Sequence, residues 1–286
     1  MSPNPKTLIF LHIPRTGGTT LKRLPDRNYG RGQTLTFYNV DHSAAAERFA
    51  RLPESERAHC RFIQGHLYFG FHRFVPNEST YVTFLREPIS RLLSFYSYAR
   101  THTDHYLYQL ITEERLSLKQ LLERKEASEE LLNLQTRIIA GVEPSGGVDR
   151  MALEQAKENL RTHFSFVGLT EEFSASLLLL ARTLGWSFPF HVKRNASRKK
   201  NPWEQAGSET LAMLREANSL DLELYEFGRA LFQAQLERAG ESFEPELRRF
   251  QKMNFLGAHA YEQYENVVRR AKKIIGREDS GILEIP

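Results

Sequence analysis

Four short segments of the chain have apolar residues at their centre and are bounded by turn-forming, polar or charged residues. They cover residues 7–13, 61–66, 80–86 and 164–169. Short apolar runs of this kind are typical of strands that are buried on both faces of a parallel sheet. We therefore predict four buried strands, the first of which ends near Pro14.

Between these segments, apolar residues recur every three or four positions, which places them on one face of a helix. The pattern predicts helices over residues 90–98, 117–124, 130–140, 151–161 and 174–184, and a longer one over 221–237. Strands that alternate with helices predict an α/β fold with a mainly parallel sheet. Ligands bind such sheets at the carboxyl ends of the strands.

The last third of the chain is helical in pattern, and one apolar stripe runs from Phe243 to Ile274. Packing of this stripe against the core is the interpretation we prefer, and a homodimer interface is the alternative. No internal repeat or long low-complexity linker separates the stripe from the rest. We predict one domain over residues 1–240 and a long C-terminal helix over 241–286 that packs on it.

Composition narrows the class of protein. The 286 residues are 41% hydrophobic and 11% aromatic, which is enough to form a core. The net charge of +4 and the pI near 9.1 fit an anionic ligand without requiring nucleic acid. The single cysteine, Cys60, cannot form an intrachain disulfide, and no apolar run resembles a signal peptide or a membrane span. We expect a cytoplasmic protein without a transmembrane segment.

The segment PRTGGTTL, residues 14–21, joins a predicted strand to a predicted helix. Gly17 and Gly18 permit a sharp turn and a close approach of the backbone to a ligand. The N–H groups of Gly18, Thr19 and Thr20 would converge at the positive end of a helix, and Arg15 adds a full charge. An ATP-dependent kinase is the competing interpretation, but its loop requires GxxxxGK[ST] and a magnesium-binding carboxylate, and neither is identifiable here.

A second strand-to-helix junction, TFLREPISRLLSFY, covers residues 83–96. Arg86 ends the strand, Pro88 suits a first helical turn, and Ser94 lies on the helix. A guanidinium and a hydroxyl that converge on a phosphate form strong, charge-assisted hydrogen bonds. This junction is therefore a second candidate anion site.

The segment HIPRTGGTTL resembles the 5′-phosphosulfate loop of the family-2, carbohydrate-type sulfotransferases, the group that includes heparan sulfate 2-O-sulfotransferase and bacterial enzymes. Arg15 stands where that family usually has Lys. The second junction resembles the family's 3′-phosphate segment, and RNASRKK (residues 194–200) occupies the place of the loop that closes over the nucleotide. The resemblance implies a P-loop-like (Rossmann-like) sheet and 3′-phosphoadenosine-5′-phosphosulfate (PAPS) as donor, with PAP as product. The residues implied in binding are Arg15, Thr16, Gly17, Gly18, Thr19, Thr20, Arg86, Ser94, Asn195 and Arg198.

The acceptor hydroxyl needs a base, and histidine suits that role near neutral pH. His66 in QGHLYFG follows a predicted strand and resembles the Gly-His segment that carries the base in the heparan sulfate enzyme. His72 is the second choice, and a buried structural imidazole is the alternative role for His66. His102 and His105 lie in a polar segment and are expected to be loop residues.

Together these features predict a PAPS-dependent sulfotransferase that acts by in-line displacement, with His66 and Arg15 as catalytic residues and no metal. The resemblance implies a saccharide acceptor and no nucleic-acid partner. LNLQTR, residues 132–137, resembles a family segment near the acceptor. Two alternatives stay open at this point: a phosphotransferase that uses ATP, and an inactive protein that binds PAP or PAPS.

Overall fold

A computed structural model of the chain describes residues 6–22, 28–30, 32–38, 42–124, 131–143, 146–186 and 207–257. All four predicted strands are present: β1 (Thr7–Leu11), β3 (Phe62–Gly65), β4 (Ser79–Leu85) and β5 (Phe164–Leu169). A further strand, β2 (Thr34–Phe37), was not predicted. It lies at the edge of the sheet, where its first two residues are partly exposed and its third is exposed, so it lacks the apolar run that marks the inner strands.

The five strands form one parallel sheet in the order β2-β3-β1-β4-β5, flanked by helices. The fold is therefore the predicted P-loop-like α/β type. Strands β2 and β3 lie on one flank of β1, and β4 and β5 lie on the other. The strand order therefore reverses at β1. Ligands of open parallel sheets bind at such a switch point, outside the carboxyl ends of the strands.

The helices confirm the periodic pattern, with shifts of a few residues at the ends. In chain order they are α1 (Gly18–Leu21), α2 (His42–Ala50), α3 (Glu54–His59), α4 (Pro88–Ala99), α5 (Tyr108–Glu113), α6 (Leu118–Leu122), α7 (Leu134–Ala140), α8 (Arg150–Thr162), α9 (Phe173–Leu184), α10 (Ser208–Ala217), α11 (Ser219–Ala239) and α12, described over 243–257. A 3₁₀ turn covers Phe71–Phe74. Within these ranges, no helix has both the length and the apolar composition to cross a bilayer.

Two of these helices begin where local chemistry fixes them. Helix α4 starts at Pro88, and the Glu87 side chain accepts hydrogen bonds from the backbone N–H groups of Ile89 and Ser90. Helix α7 starts only at Leu134, later than predicted, because Asn133 has a left-handed backbone with φ 49°.

The apolar stripe of α12 packs against the core over its first turns, where Phe243 and Phe250 are buried. Phe255 and Leu256 farther along are exposed. The remainder of the predicted stripe lies outside the described residues. The division into residues 1–240 and 241–286, and the dimer interface, stay predictions.

Candidate functional site

The first residue beyond the end of every strand is polar, and all five lie at the same edge of the sheet. In the order of the strands across the sheet they are Tyr38, His66, His12, Arg86 and Thr170. Parallel strands that end together place such residues beside one another at about the strand spacing of 5 Å. The sheet thus gathers residues that are far apart in sequence into one row.

The loop after β1 is held by its own backbone and by two aromatic neighbours. Arg15 and Gly17 both have left-handed conformations, with φ 72° and 94°. A Cβ on Gly18 would lie 1.7 Å from Nε2 of His12, so only glycine fits against this ring. A Cβ on Gly17 would lie 2.8 Å from the ring of Phe173. Gly17 is therefore required by its conformation and favoured by space, and Gly18 is required by space alone.

The helix that follows this loop differs from the expectation. Helix α1 has four residues, so the aligned dipole of a long helix is missing from this part of the chain. The Thr20 N–H donates to the carbonyl oxygen of Gly17 at 3.3 Å, and the buried Thr16 hydroxyl donates to that of Ile13 at 2.8 Å. The structure thus gives the Thr16 hydroxyl a bracing role within the loop. The positive charge at the site comes from the arginine side chains.

The two predicted phosphate segments meet at Arg15. Its Nε and one terminal nitrogen each donate to Oγ of Ser94 at 3.2 Å, and its guanidinium lies 4.3 Å from the centre of the Tyr98 ring. A terminal nitrogen of Arg86 donates to the main-chain oxygen of Arg15 at 3.0 Å. Arg15, Arg86 and Ser94 therefore form one cluster, in which the Ser94 hydroxyl accepts from Arg15. The assignment of these residues to two separate phosphate sites stays a prediction.

This cluster carries concentrated positive charge. Burial lowers the pKa of the Arg15 guanidinium from 12.5, and the charge of Arg86 lowers it further; burial also lowers the pKa of Arg86. Both side chains nevertheless remain charged at neutral pH. Within the described part of the chain neither arginine forms a direct ion pair, although the charges of Glu171 and Glu87 act on Arg86 and oppose the lowering of its pKa. Both guanidinium groups can form charge-assisted hydrogen bonds with an anionic ligand.

His66 occupies the other half of the row, between two aromatic side chains. Its ring centre is 5.0 Å from that of His12 and 5.1 Å from that of Tyr38. The ammonium of Lys22 lies 3.4 Å from the centre of the Tyr38 ring. Burial, and secondarily the charge of Lys22, lower the pKa of His66 from 6.5 to about 4. His66 is therefore a neutral imidazole at physiological pH.

His12 is more deeply buried than His66, and it stacks on Phe10 with ring centres 5.4 Å apart. Burial first, and then the neighbouring His66, lower its pKa well below 6.5. Its Nδ1 is buried and has no hydrogen-bond partner among the described residues. Burial likewise raises the pKa of the Tyr38 hydroxyl, so the two rings that contact His66 are both uncharged.

Two other histidines, His72 and His105, differ from His66 in position and in hydrogen bonding. His72 was the second choice for the base, but its Nδ1 pairs with the Tyr81 hydroxyl at 2.9 Å and its ring stacks on His163. His163 immediately precedes β5, so His72 lies toward the opposite edge of the sheet from the arginine cluster. His105 is near enough for the charge of Arg15 to lower its pKa, after burial and His102. Because its Nδ1 accepts from the Leu107 N–H at 3.2 Å, its neutral form carries the proton on Nε2 and is a donor.

Some predicted residues cannot be placed. Asn195 and Arg198 lie outside the described residues, and the structure describes the backbone of Thr19 but not its side chain. In the part of the chain that is described, no group of three or more His, Cys, Asp or Glu side chains is arranged to hold a metal ion. The list of binding residues stays a prediction.

Four neighbours of the site were not predicted from the sequence as site residues. Tyr98 packs under Arg15, and His12, Tyr38 and Lys22 surround or adjoin His66. The available signal for His12 was its position directly after a strand, which it shares with the other polar residues of the row. Tyr38 follows a strand that the pattern did not reveal.

Comparison with known proteins gives a consistent family. A family model described as galactose-3-O-sulfotransferase matches residues 2–274. Galactose-3-O-sulfotransferase 3 of Homo sapiens is 26% identical over 84% of this chain and 60% of its own length. Heparan sulfate 2-O-sulfotransferase 1 of Gallus gallus is 32% identical over 62% of this chain and 54% of its own. Heparan-sulfate 6-O-sulfotransferase 2 of Danio rerio is 28% identical over 88% of this chain and 64% of its own length.

The chain therefore spans only 54–64% of the length of these curated relatives. Among solved structures, a sulfotransferase from Alicyclobacillus acidocaldarius covers 78% of this chain and 95% of its own, at 17% identity and a TM-score of 0.36. That TM-score is too low to add to the topology described above.

Proposed function

The chain belongs to the galactose-3-O-sulfotransferase family, and we propose that it transfers a sulfuryl group from PAPS to a hydroxyl of a carbohydrate. The observation that carries the proposal is that the cluster of Arg15, Arg86 and Ser94 and the neutral His66 lie at the same edge of a parallel sheet. This arrangement offers what the reaction needs: a cationic site for an anionic donor and an uncharged base. An ATP-dependent phosphotransferase is not favoured by the relatives.

The charge of the residues present fits PAPS, because Arg15 and Arg86 are partly buried cations at the same sheet edge as the glycine loop. Glycine at position 18 lets this loop pack directly against the ring of His12. Arg15 and the backbone of this loop would hold the 5′-phosphosulfate, and Arg86 with Ser94 would hold the 3′-phosphate. When bound, PAPS supplies an activated sulfuryl group on a phosphate leaving group.

The chain's own residues would then position the reactants and manage charge and protons. Arg15 would neutralise negative charge that develops on the leaving oxygen, the kind of electrostatic stabilisation that is most effective in a partly buried site. The unprotonated ring nitrogen of His66 would accept the proton of the attacking hydroxyl. A nearby anion raises the pKa of an imidazole, so the bound donor would make His66 a stronger base than it is in the free protein.

The proposal is tested by incubating the protein with labelled PAPS and a panel of saccharides, beginning with galactose-terminated oligosaccharides and desulfated heparan fragments. Replacing His66 with Ala should reduce turnover by about 10²–10⁴ while PAP affinity is nearly unchanged, because only proton transfer is lost. His72→Ala, at the opposite edge, is the matched control and should keep its turnover. A protein that binds no PAP would refute the proposal. Binding of PAP without transfer to any saccharide would instead indicate the inactive PAP-binding protein.

A further inference from the structure

The main chain of Arg86 is paired with a side chain rather than with a neighbouring strand. The Gln135 amide accepts a hydrogen bond from the Arg86 N–H at 3.0 Å and donates one to the Arg86 carbonyl oxygen at 2.9 Å. One residue earlier, the Leu85 carbonyl oxygen accepts from the backbone N–H of Thr170 at 2.8 Å. Gln135 thus provides both polar partners at the point where the sheet ends, and its side chain is completely buried.

Gln135 is itself held in place by hydrogen bonds between its backbone and helix α11. The buried Asp221 carboxylate accepts from the backbone N–H groups of Gln135 at 3.1 Å and Thr136 at 2.7 Å, and from the Thr136 hydroxyl at 2.8 Å. In return, the Asn133 side-chain oxygen accepts from the N–H groups of Leu220 and Asp221, both at 3.1 Å. These reciprocal bonds determine where helix α7 begins and therefore where the Gln135 side chain points.

The two hydrogen bonds from Gln135 hold the main chain of Arg86, whose side chain points into the cluster of Arg15, Arg86 and Ser94. Arg86 donates to the main-chain oxygen of Arg15, so its guanidinium is held between its own main chain and the glycine loop. A guanidinium forms paired hydrogen bonds with a phosphate only in a narrow range of orientations. A small displacement of the Arg86 main chain would therefore be costly for phosphate binding even though the charge is retained.

We propose that Gln135 is a positioning residue for the 3′-phosphate of the donor, acting through the Arg86 main chain. The inference rests on the proposed function, because it assumes that the donor carries this phosphate. It assigns to Gln135 a role in donor binding, whereas the sequence resemblance placed its segment near the acceptor.

A simple stabilising role for Gln135 is the competing explanation, and α7 offers a matched control. Asn159 is also a buried amide, and it donates to the carbonyl oxygen of Ile139 at the other end of α7 at 2.8 Å. It anchors the same helix without contacting Arg86. Gln135→Met removes both hydrogen bonds with little change in length, and Asn159→Leu removes a comparable anchor.

The experiment measures by calorimetry the affinity of the full chain for PAP and for adenosine 5′-phosphosulfate, which lacks the 3′-phosphate. Melting temperatures are recorded in parallel. Loss of a positioned charge-assisted contact should raise the Kd for PAP in Gln135→Met by about tenfold. The Kd for adenosine 5′-phosphosulfate should change by less than about twofold, a level below the loss of one such bond. Asn159→Leu should lower the melting temperature but leave the ratio of the two Kd values as in the wild type.

A folded Gln135→Met protein with the wild-type ratio overturns the inference, as does an equal change of ratio in both variants. If Gln135→Met fails to fold, Gln135→Asn applies the same criterion, because its amide is one methylene too short to span both Arg86 groups. Failure of the wild type to bind PAP would count against the proposed function itself, so the two failures are distinguishable.

Discussion

Protonation of His66 should couple the stability of the fold to pH in a range where most proteins change little. The pKa of this imidazole falls from 6.5 to about 4 in the folded chain, chiefly because it is buried beside His12 and Tyr38 and secondarily because of the Lys22 charge. Below pH 6.5 the unfolded state therefore binds a proton that the folded state does not. Stability should be complete above pH 6.5 and should fall as the pH falls toward 4.

The size of the effect follows from the two pKa values. Each tenfold difference in proton affinity is worth about 1.4 kcal/mol, so His66 alone should cost about 2 kcal/mol of unfolding free energy between pH 7 and pH 5. His12 should add to the loss with the same sign, because burial lowers its pKa as well. Urea unfolding at a series of pH values measures this directly.

The variant His66→Gln isolates the contribution of this residue. Glutamine does not titrate, so the variant should lose about 2 kcal/mol less than the wild type over the same range. His59→Gln, at an exposed helix end, is the control and should follow the wild-type curve. Parallel curves for His66→Gln and the wild type would show that His66 is not buried and neutral as described, and the argument for it as a neutral base would fall with that result.

Two further predictions concern the anion site. Arg86→Ala should weaken PAP binding by about 1.5–3 kcal/mol, the range for hydrogen bonds to charged groups. It should weaken the binding of adenosine 5′-phosphosulfate far less. Calorimetry that finds equal losses for the two ligands would reject the 3′-phosphate assignment. Gly18→Ala should both destabilise the fold and impair PAP binding, because the new methyl group would overlap the His12 ring. A Gly18→Ala protein with wild-type melting temperature and PAP affinity would contradict the packing of the loop.

The inner strands could be predicted from the sequence because burial on both faces leaves a strong pattern. Strand β5 has the bounds that the pattern indicates, and β1, β3 and β4 agree within a few residues. Strand β2 could not be recognised, since it has a single neighbour and alternates in polarity. Because β2 was not predicted, Tyr38 was not recognised as a site residue either. Its only signal is that it directly follows this strand.

The location of Arg15, Arg86 and Ser94 near one edge of the sheet was predictable, because they belong to two strand-to-helix segments of that sheet. The way in which they meet was not, because it depends on side-chain reach. The sequence suggested a helix dipole after Gly18, whereas α1 is a single turn and the charge comes from the two arginines. Sequence spacing likewise gave no indication that Gln135 would pair with Arg86, since that contact depends on how α7 packs at the end of β4.

Burial has opposite consequences for the two halves of this sheet edge, and that difference is what makes them complementary. It lowers the pKa of Arg15 and Arg86, yet a guanidinium begins so far above neutrality that both stay charged. It lowers the pKa of His66 as well, and an imidazole begins so near neutrality that the same effect leaves it uncharged. One partly buried edge can therefore hold an anion on one side of β1 and present a neutral base on the other, without any further group to set the two protonation states.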